Sequence, residues 1–186
     1  KRIIERSVRI YDMMGQETAA LVPDAAVQRA VDRAMGPYRP ALNEPLATLS
    51  RRLDADKDKE CALGNFYTDG LRDAGQAQIG LFNATSIFGF MPAGVVTAEM
   101  VIHVMCFDED IYVGDMRGQQ LYDLFERTYT AAHWRGNGAL QFSGMRAVVD
   151  TRRPEGARVV SLTLEDGRPI EKTARLRVAT TDYIAM

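Results

Sequence analysis

The sequence predicts an α+β fold, a mixed sheet packed with helices, on three observations. The composition is that of a folded globular protein, with 46% hydrophobic residues and a formal charge of −2. Apolar residues recur at helical spacing in some segments and at a period of two in others. These segments alternate without a regular strand–helix–strand period, which argues against a doubly wound parallel sheet. A chain of 186 residues holds one domain, or one domain and a fragment of another.

In chain order, Arg6–Met13 alternates, with Val8 and Ile10 on one face and Ser7 and Arg9 on the other, so a half-buried strand is expected there. Pro23-Asp24 opens a helix carrying Ala26, Val27, Ala30, Val31 and Ala34, and Gly36-Pro37 ends it. The next stretch, to Asp58, is polar and broken by Pro40 and Pro45. Leu42, Leu46 and Leu49 there hint at a second helical piece inside a connecting segment. Leu63, Phe66, Tyr67, Leu71 and Ala74 then mark a packed helix, with Gly64 and Gly70 thinning one side for a neighbour and Gly75 as its C-terminal cap. Residues 77–82 read as a buried strand running into the small-residue loop Asn83-Ala84-Thr85-Ser86. Thr97 is placed to cap a short helix over Ala98–Met105. A strand follows over Asp110–Met116, then a helix over Gly118–Thr130 with Leu121, Leu124, Phe125 and Tyr129 on one face. Trp134–Gly138 reads as a turn. Three strands complete the chain, Arg146–Asp150, Arg158–Leu164 and Leu176–Thr180, with an Asp166-Gly167 turn after the second.

Charge and composition exclude several function classes. With 23 Lys+Arg against 25 Asp+Glu and no basic run, the chain has no field to gather nucleic-acid backbone or an anionic membrane. No apolar run of about 18 residues and no cationic leader are visible, so no membrane span is expected. The start at Lys1-Arg2 reads as a fragment or mature product. Two histidines and two cysteines are a thin supply for a metal centre, so none is expected on this chain. Cys61 and Cys106 are expected to be free, buried thiols. His103 sits in an apolar run and reads as a core or interface histidine; His133 reads as part of a surface turn. Asp108-Glu109-Asp110 reads as solvated loop, because consecutive carboxylates on extended chain do not face one point. No phosphate-loop, dinucleotide-binding, zinc-protease, nucleophile-elbow or C-x-x-C motif is present.

An ordered series of segments does carry a resemblance. It comprises Glu60-Cys-Ala-Leu-Gly-Asn-Phe-Tyr-Thr-Asp69; Asn83-Ala-Thr-Ser-Ile-Phe88 with Ala93-Gly-Val-Val-Thr97; Val104-Met-Cys-Phe107; Ile111–Asp115; Arg117-Gly-Gln-Gln-Leu121; Phe142-Ser-Gly-Met145; and Arg177-Val-Ala-Thr-Thr-Asp-Tyr183. Together they resemble the C-terminal domain of the 5'-nucleotidase family, which includes UDP-sugar hydrolases and 2',3'-cyclic-nucleotide phosphodiesterases. In order these segments are similar to its E-x-x-L-G-N-x-x-x-D helix, N-G-G-x-I-R loop with a downstream A-G-x-I-T, V-L-P-F segment, the strand after it, T-G-x-x-L helix start, Q-x-S-G-L and Y-R-V-A-T-N-D-Y. The match spans residues 57 to 184, about two-thirds of the chain.

The resemblance implies a division of labour. A preceding metallophosphoesterase domain, absent here, would hold the divalent metals and do the chemistry of a phosphoric ester hydrolase. This chain would recognise the nucleotide and be silent alone. Residues 1–22 would be the terminal strand of that catalytic domain, 23–56 a helical interdomain linker, and 57–186 the substrate-recognition domain. The implied partners are a nucleotide or related phosphoester and the catalytic domain itself, and the implied location is periplasmic or extracellular. Phe107 matches the aromatic that stacks on the base; by residue type alone it reads as a core residue, and the resemblance sets the two readings level. Asn83 matches the asparagine of the substrate loop, with an Asx turn as its plain alternative. Lys57 stands where many members place an arginine, keeping the charge and losing the bidentate fork; solvated surface is the plain reading.

Two departures stand out. Phe88 occupies the position of the loop's arginine, with Ala84 and Thr85 at its glycines, and a phenyl ring cannot donate to a phosphate or ribose oxygen. The family's G-G-D-G-[FY] loop, with its second stacking aromatic, has no counterpart before Met186. Alternative readings are therefore a structural or dimerisation module that no longer binds nucleotide, or a phosphohydrolase of shifted specificity.

Overall fold

The computed structural model describes residues 22–130 and 138–185 and divides into two compact units, Lys1–Leu42 and Asn43–Met186. The strand expected over residues 6–13, all but the last residue of the segment 1–22, His133 and most of the turn from Trp134 lie outside the described residues.

In the first unit, helix α1 (Ala25–Met35) begins where Pro23-Asp24 predicts. The Asp24 carboxylate accepts from the Ala26 and Val27 N–H groups at 2.8 and 3.0 Å, filling two otherwise empty donors of the first turn. Helix α2 (Arg39–Leu42) follows.

The second unit starts earlier than the linker reading allows. Residues expected to be helical linker form β1 (Pro45–Leu49) and β2 (Leu53–Asp54). The spacing of Leu42, Leu46 and Leu49 imitates a helix, yet β1 pairs antiparallel with β5 (Gly94–Thr97) and β2 with β4 (Phe90–Met91). Partners distant in sequence, Thr97 for Pro45 and Met91 for Leu53, set the conformation of this stretch.

Helix α3 (Ala62–Ala74) packs on a four-stranded mixed sheet in the order β6 (Ile111–Arg117), β10 (Arg175–Thr181), β3 (Ile79–Asn83), β7 (Leu140–Ser143). Between β4 and β6 the chain forms β5 and helix α4 (Ala98–Val104); helix α5 (Gly118–Thr128) follows β6. The hairpin β8 (Met145–Val149) and β9 (Val159–Leu164) and the short helix α6 (Asp182–Ala185) complete the described chain. Alternation along the strands divides the core between the two faces of the sheet. Ile79, Leu81, Leu176 and Val178 join Leu121, Phe125 and Leu162 on one side. On the other, Phe82 and Ala179 join Leu63, Leu71, Met91 and Val104. The α+β reading therefore holds.

The glycines of α3 divide differently from expectation. A Cβ on Gly64 would lie 2.0 Å from Gln141 Oε1, so this residue does let a neighbour approach, whereas a Cβ on Gly70 meets nothing within 4 Å. Gly75 ends the helix with φ −80 and ψ −6, in the right-handed region. The left-handed turn falls instead on Gln76, φ 45. Gly75 is needed for space, since a Cβ there would sit 2.8 Å from Ala179 Cβ and 2.9 Å from Val113 Cγ2.

Other local expectations are corrected too. Thr97 precedes α4 without a side-chain capping bond. Cys61 and Cys106 are free, but Cys106 is exposed and Cys61 half-buried, its sulfur accepting from Gly64 N–H at 3.3 Å to cap α3. His103 is exposed, because α4 turns Val101 and Val104 inward and leaves Ile102 and His103 on the outer face.

Tyr67 projects from α3 onto Phe82, ring centroids 4.2 Å apart. Burial, and secondarily the charge of Glu109, pushes its hydroxyl above the ordinary tyrosine value of 10.0. The unfolded chain ionises Tyr67 first, so its contribution to stability is whole below pH 10 and is lost as pH rises through the folded value. In melting curves recorded against pH, Tyr67→Phe should remove this part of the alkaline loss.

Candidate functional site

β3 and β10 run parallel, and β6 runs antiparallel to β10, with Thr181 opposite Ile111. The C-terminal ends of β3 and β10 and the start of β6 therefore share one end of the sheet. The loop from Asn83 to Phe88, the segment carrying Phe107 and the chain after Thr181 all gather there. The Asp182 N–H donating to the Asp110 carbonyl at 3.1 Å joins the last two.

Asn83 ends β3 and is buried, 8% exposed. Its amide donates to Thr85 Oγ1 at 3.0 Å and to Ser86 Oγ at 2.8 Å, holding the 3-10 turn Ala84–Ser86 closed. This is the local-turn role open to an asparagine at a loop start. Its Oδ1 is buried with no hydrogen-bond partner. The residue also lines a cavity of about 290 Å³ with Arg127, Thr128, Leu140, Tyr183 and Ile184. That oxygen is closed off from solvent, so the residue borders the cavity while its amide serves the loop.

Lys57 reaches the same cluster through its backbone. Its carbonyl accepts from the Ala139 N–H at 2.7 Å, and the Ala139 carbonyl in turn accepts from the Ala84 N–H at 3.2 Å. Two candidate residues, Lys57 and Asn83, thus belong to one hydrogen-bonded stack of three segments. The Lys57 side chain is exposed. Gly138, φ +64, lies between them: a Cβ there would stand 2.3 Å from the Lys57 carbonyl oxygen and 3.5 Å from Thr85 Cγ2.

Phe88 and Phe107 form the second half of the site. The Phe88 N–H donates to the Val104 carbonyl at 3.0 Å, which fastens the loop to the end of α4. The two rings meet with centroids 5.9 Å apart and planes tilted by 57°, within the range of favourable edge-to-face contacts. Both remain open to solvent, Phe88 by 44% and Phe107 by 54%. Phe107 is therefore not a core residue. The loop 83–88 itself joins this ring pair to the stack of Lys57 and Asn83.

Several contributors carry no signal in the sequence. Gln141 is fully buried, its Oε1 accepting from the Cys61 N–H at 3.0 Å and its Nε2 donating to the Lys59 carbonyl at 2.9 Å, so it anchors the segment that carries Lys57. Arg52 stacks over Phe90, 3.6 Å from the ring centroid, while pairing with Asp54 at 2.6 Å. Among the described residues no group of three or more His, Cys, Asp or Glu is placed to hold a metal ion. No helix among them is long and apolar enough to cross a membrane.

Comparison with known proteins identifies relatives of the chain and of its fold. Residues 41–186 match the family model described as 5'-nucleotidase, C-terminal domain. The chain is similar to the trifunctional nucleotide phosphoesterase protein YfkN of Bacillus subtilis (strain 168), 27% identical over 154 residues, covering 76% of this chain and 10% of that protein. It is also similar to an apyrase of Aedes aegypti, 24% identical over 182 residues, covering 91% of this chain and 32% of the relative. Among solved structures, a 5'-nucleotidase precursor from Thermus thermophilus superposes with a TM-score of 0.79 at 27% identity, over 90% of this chain and 35% of that one. A sulfate thiohydrolase, SoxB, from Thermus thermophilus shares the fold at 18% identity and a TM-score of 0.76, over 88% of this chain and 32% of that one. The chain thus spans about a third or less of the relatives it matches. With a family model covering most of its length and the same fold in solved relatives, the chain belongs to the 5'-nucleotidase C-terminal domain family.

Proposed function

We propose that this chain is the substrate-recognition part of a metal-dependent phosphohydrolase of nucleotide catabolism, acting in the periplasm or outside the cell, and is silent without its catalytic domain. Phe107 is the observation that carries the reading. An apolar ring left 54% exposed on a tied-down loop is costly in water and suits a flat ligand face. The divalent metals belong, on this reading, to a catalytic domain outside this chain, and the exposed Lys57 offers a polar contact to the rest of the ligand while Asn83 holds the loop beside it. With AMP, UMP or a nucleotide sugar and added manganese or zinc, the purified chain should release no phosphate. Measurable turnover would overturn the division of labour.

One observation favours a second reading, a binding or dimerisation module that has lost nucleotide. Phe88 fills the space beside Phe107 with another ring, and the Asn83 amide nitrogen is committed to its own turn. Micromolar nucleotide binding by isothermal titration rejects this module.

A further inference from the structure

We infer that the groove between α3 and the segment running from α4 into β6 is a binding site for a small organic cation, an ammonium group carried on an apolar body. The inference stands apart from the nucleotide-recognition reading, since neither Phe88 nor Phe107 lines this groove.

The groove opens where α3 lacks a side chain. Phe66, Gly70 and Asp73 follow one another at helical spacing, and a Cβ on Gly70 would meet nothing within 4 Å. A glycine inside a helix weakens it, and Gly64 has a packing reason that Gly70 lacks. What Gly70 leaves is an open floor. The cavity above it holds about 530 Å³, within the range of small-molecule sites.

The lining is apolar, and its charges are of one sign. Phe66 on α3 and Ile111 at the start of β6 stay 43% and 46% exposed, and the half-buried Tyr67 and Met105 line the groove with them. Aromatic rings attract a cation over their faces. Asp69, Asp73 and Glu109 also line the groove, and no Lys, Arg or His does. Arg72 offsets Asp69 at 3.4 Å while pairing with Glu165 at 3.0 Å. Asp73 and Glu109 make no ion pair among the described residues.

Glu109 exerts the stronger field of the two. It is half-buried, and its Oε2 is shut off from solvent without a donor, so water screens this charge poorly. The charge is felt at Tyr67, whose hydroxyl is held above its ordinary value first by burial and then by Glu109. Two uncompensated carboxylates beside aromatic and aliphatic walls call for a cationic head on an apolar body. An anion is repelled, and a neutral apolar molecule leaves the carboxylates unmet. A hydrated metal ion gains nothing from the walls.

Titration of the chain with phenethylammonium, followed through backbone amide chemical shifts at about 0.15 M salt, tests this. The dissociation constant should be about 1 mM or tighter, with the shifts confined to residues 66–73 and 105–111. Phenethyl alcohol, the neutral analogue, should bind at least tenfold more weakly, and phenylacetate should not bind. Glu109→Gln should weaken the ammonium about tenfold, and Asp73→Asn, at an exposed position, about threefold. Gly70→Leu fills the groove and should abolish binding with no fall in melting temperature. Phenethyl alcohol binding as well as the ammonium would overturn the inference, because charge would then play no part. Magnesium or spermidine displacing the ammonium at equal concentration would also overturn it, since an acidic surface alone would suffice. So would normal binding by Gly70→Leu or Glu109→Gln, or no binding to the unmodified chain by about 10 mM.

Discussion

Replacing Gln141 by alanine should lower the stability of the chain by about 3 kcal/mol. The side chain is fully buried and bonded over a long range to the Cys61 N–H and the Lys59 carbonyl, with the Cys61 thiol donating to the same Oε1 at 3.5 Å. Truncation leaves both backbone groups without their partner and opens a cavity against α3. Lys59 is exposed and its carbonyl recovers a bond from water, while Cys61 is half-buried and its N–H loses more. The measurement is urea unfolding, in which the midpoint should fall with the slope unchanged. A coupled variant separates this mechanism from general damage to the core. A Cβ on Gly64 would lie 2.0 Å from Gln141 Oε1 and 2.6 Å from its Cδ, so Gly64→Ala alone should be severely destabilising. In the Gln141→Ala background the obstructing atoms are gone, and Ala is the better helix former. The double variant should therefore be more stable than the sum of the two single losses, and strict additivity would refute direct contact as the cause. Because Gln141 anchors the segment leading back to Lys57, the single variant should also expose that segment to proteolysis.

What can be read from the sequence is what local patterns decide. The long helices α1, α3 and α5 repeat apolar residues at helical spacing, and β6, β9 and β10 lie within a few residues of their expected bounds. Strands that depend on distant partners are illegible. In β7 the run Leu140-Gln141-Phe142-Ser143 is buried at every position, so no alternation marks it, and its buried glutamine looks polar. In β1 the leucine spacing favours a helix, and pairing with β5 overrides it. The site divides the same way. Asn83 closing its own turn follows from a local asparagine preference, and the structure adds the stack to Ala139 and Lys57. The meeting of Phe88 with Phe107 depends on a hydrogen bond to Val104, which no residue pattern announces. His103 departs from expectation because the run Met100–Met105 is apolar at most positions, and only the helix geometry shows which of them face out.

Two glycines ten residues apart should respond to alanine with opposite signs. Gly80 lies in β3 between β10 and β7, and a Cβ there would fall 2.2 Å from the Thr68 carbonyl oxygen and 3.0 Å from Ser143 Oγ. The obstructing oxygen is backbone in the middle of α3, and Thr68 is fully buried, so no side-chain rotation relieves the contact. Either α3 lifts from the sheet or β3 leaves the register held on both flanks. Gly80→Ala should cost about 3 kcal/mol, at the upper end for an overpacked core, and lower the melting temperature by roughly 6 to 12 °C for a chain of this size. Gly70 sits within α3 itself, where a Cβ meets nothing within 4 Å. Alanine there costs no contact and removes freedom from the unfolded chain, so Gly70→Ala should raise stability by about 1 kcal/mol. The contrast is decisive because both changes add the same single carbon. If Gly80→Ala were tolerated as well as Gly70→Ala, α3 would have to ride farther from the sheet than this packing allows. Tyr67, next to Thr68 on α3, would then lose its seat against Phe82, and its ionisation should fall back toward the ordinary tyrosine value as burial is relieved.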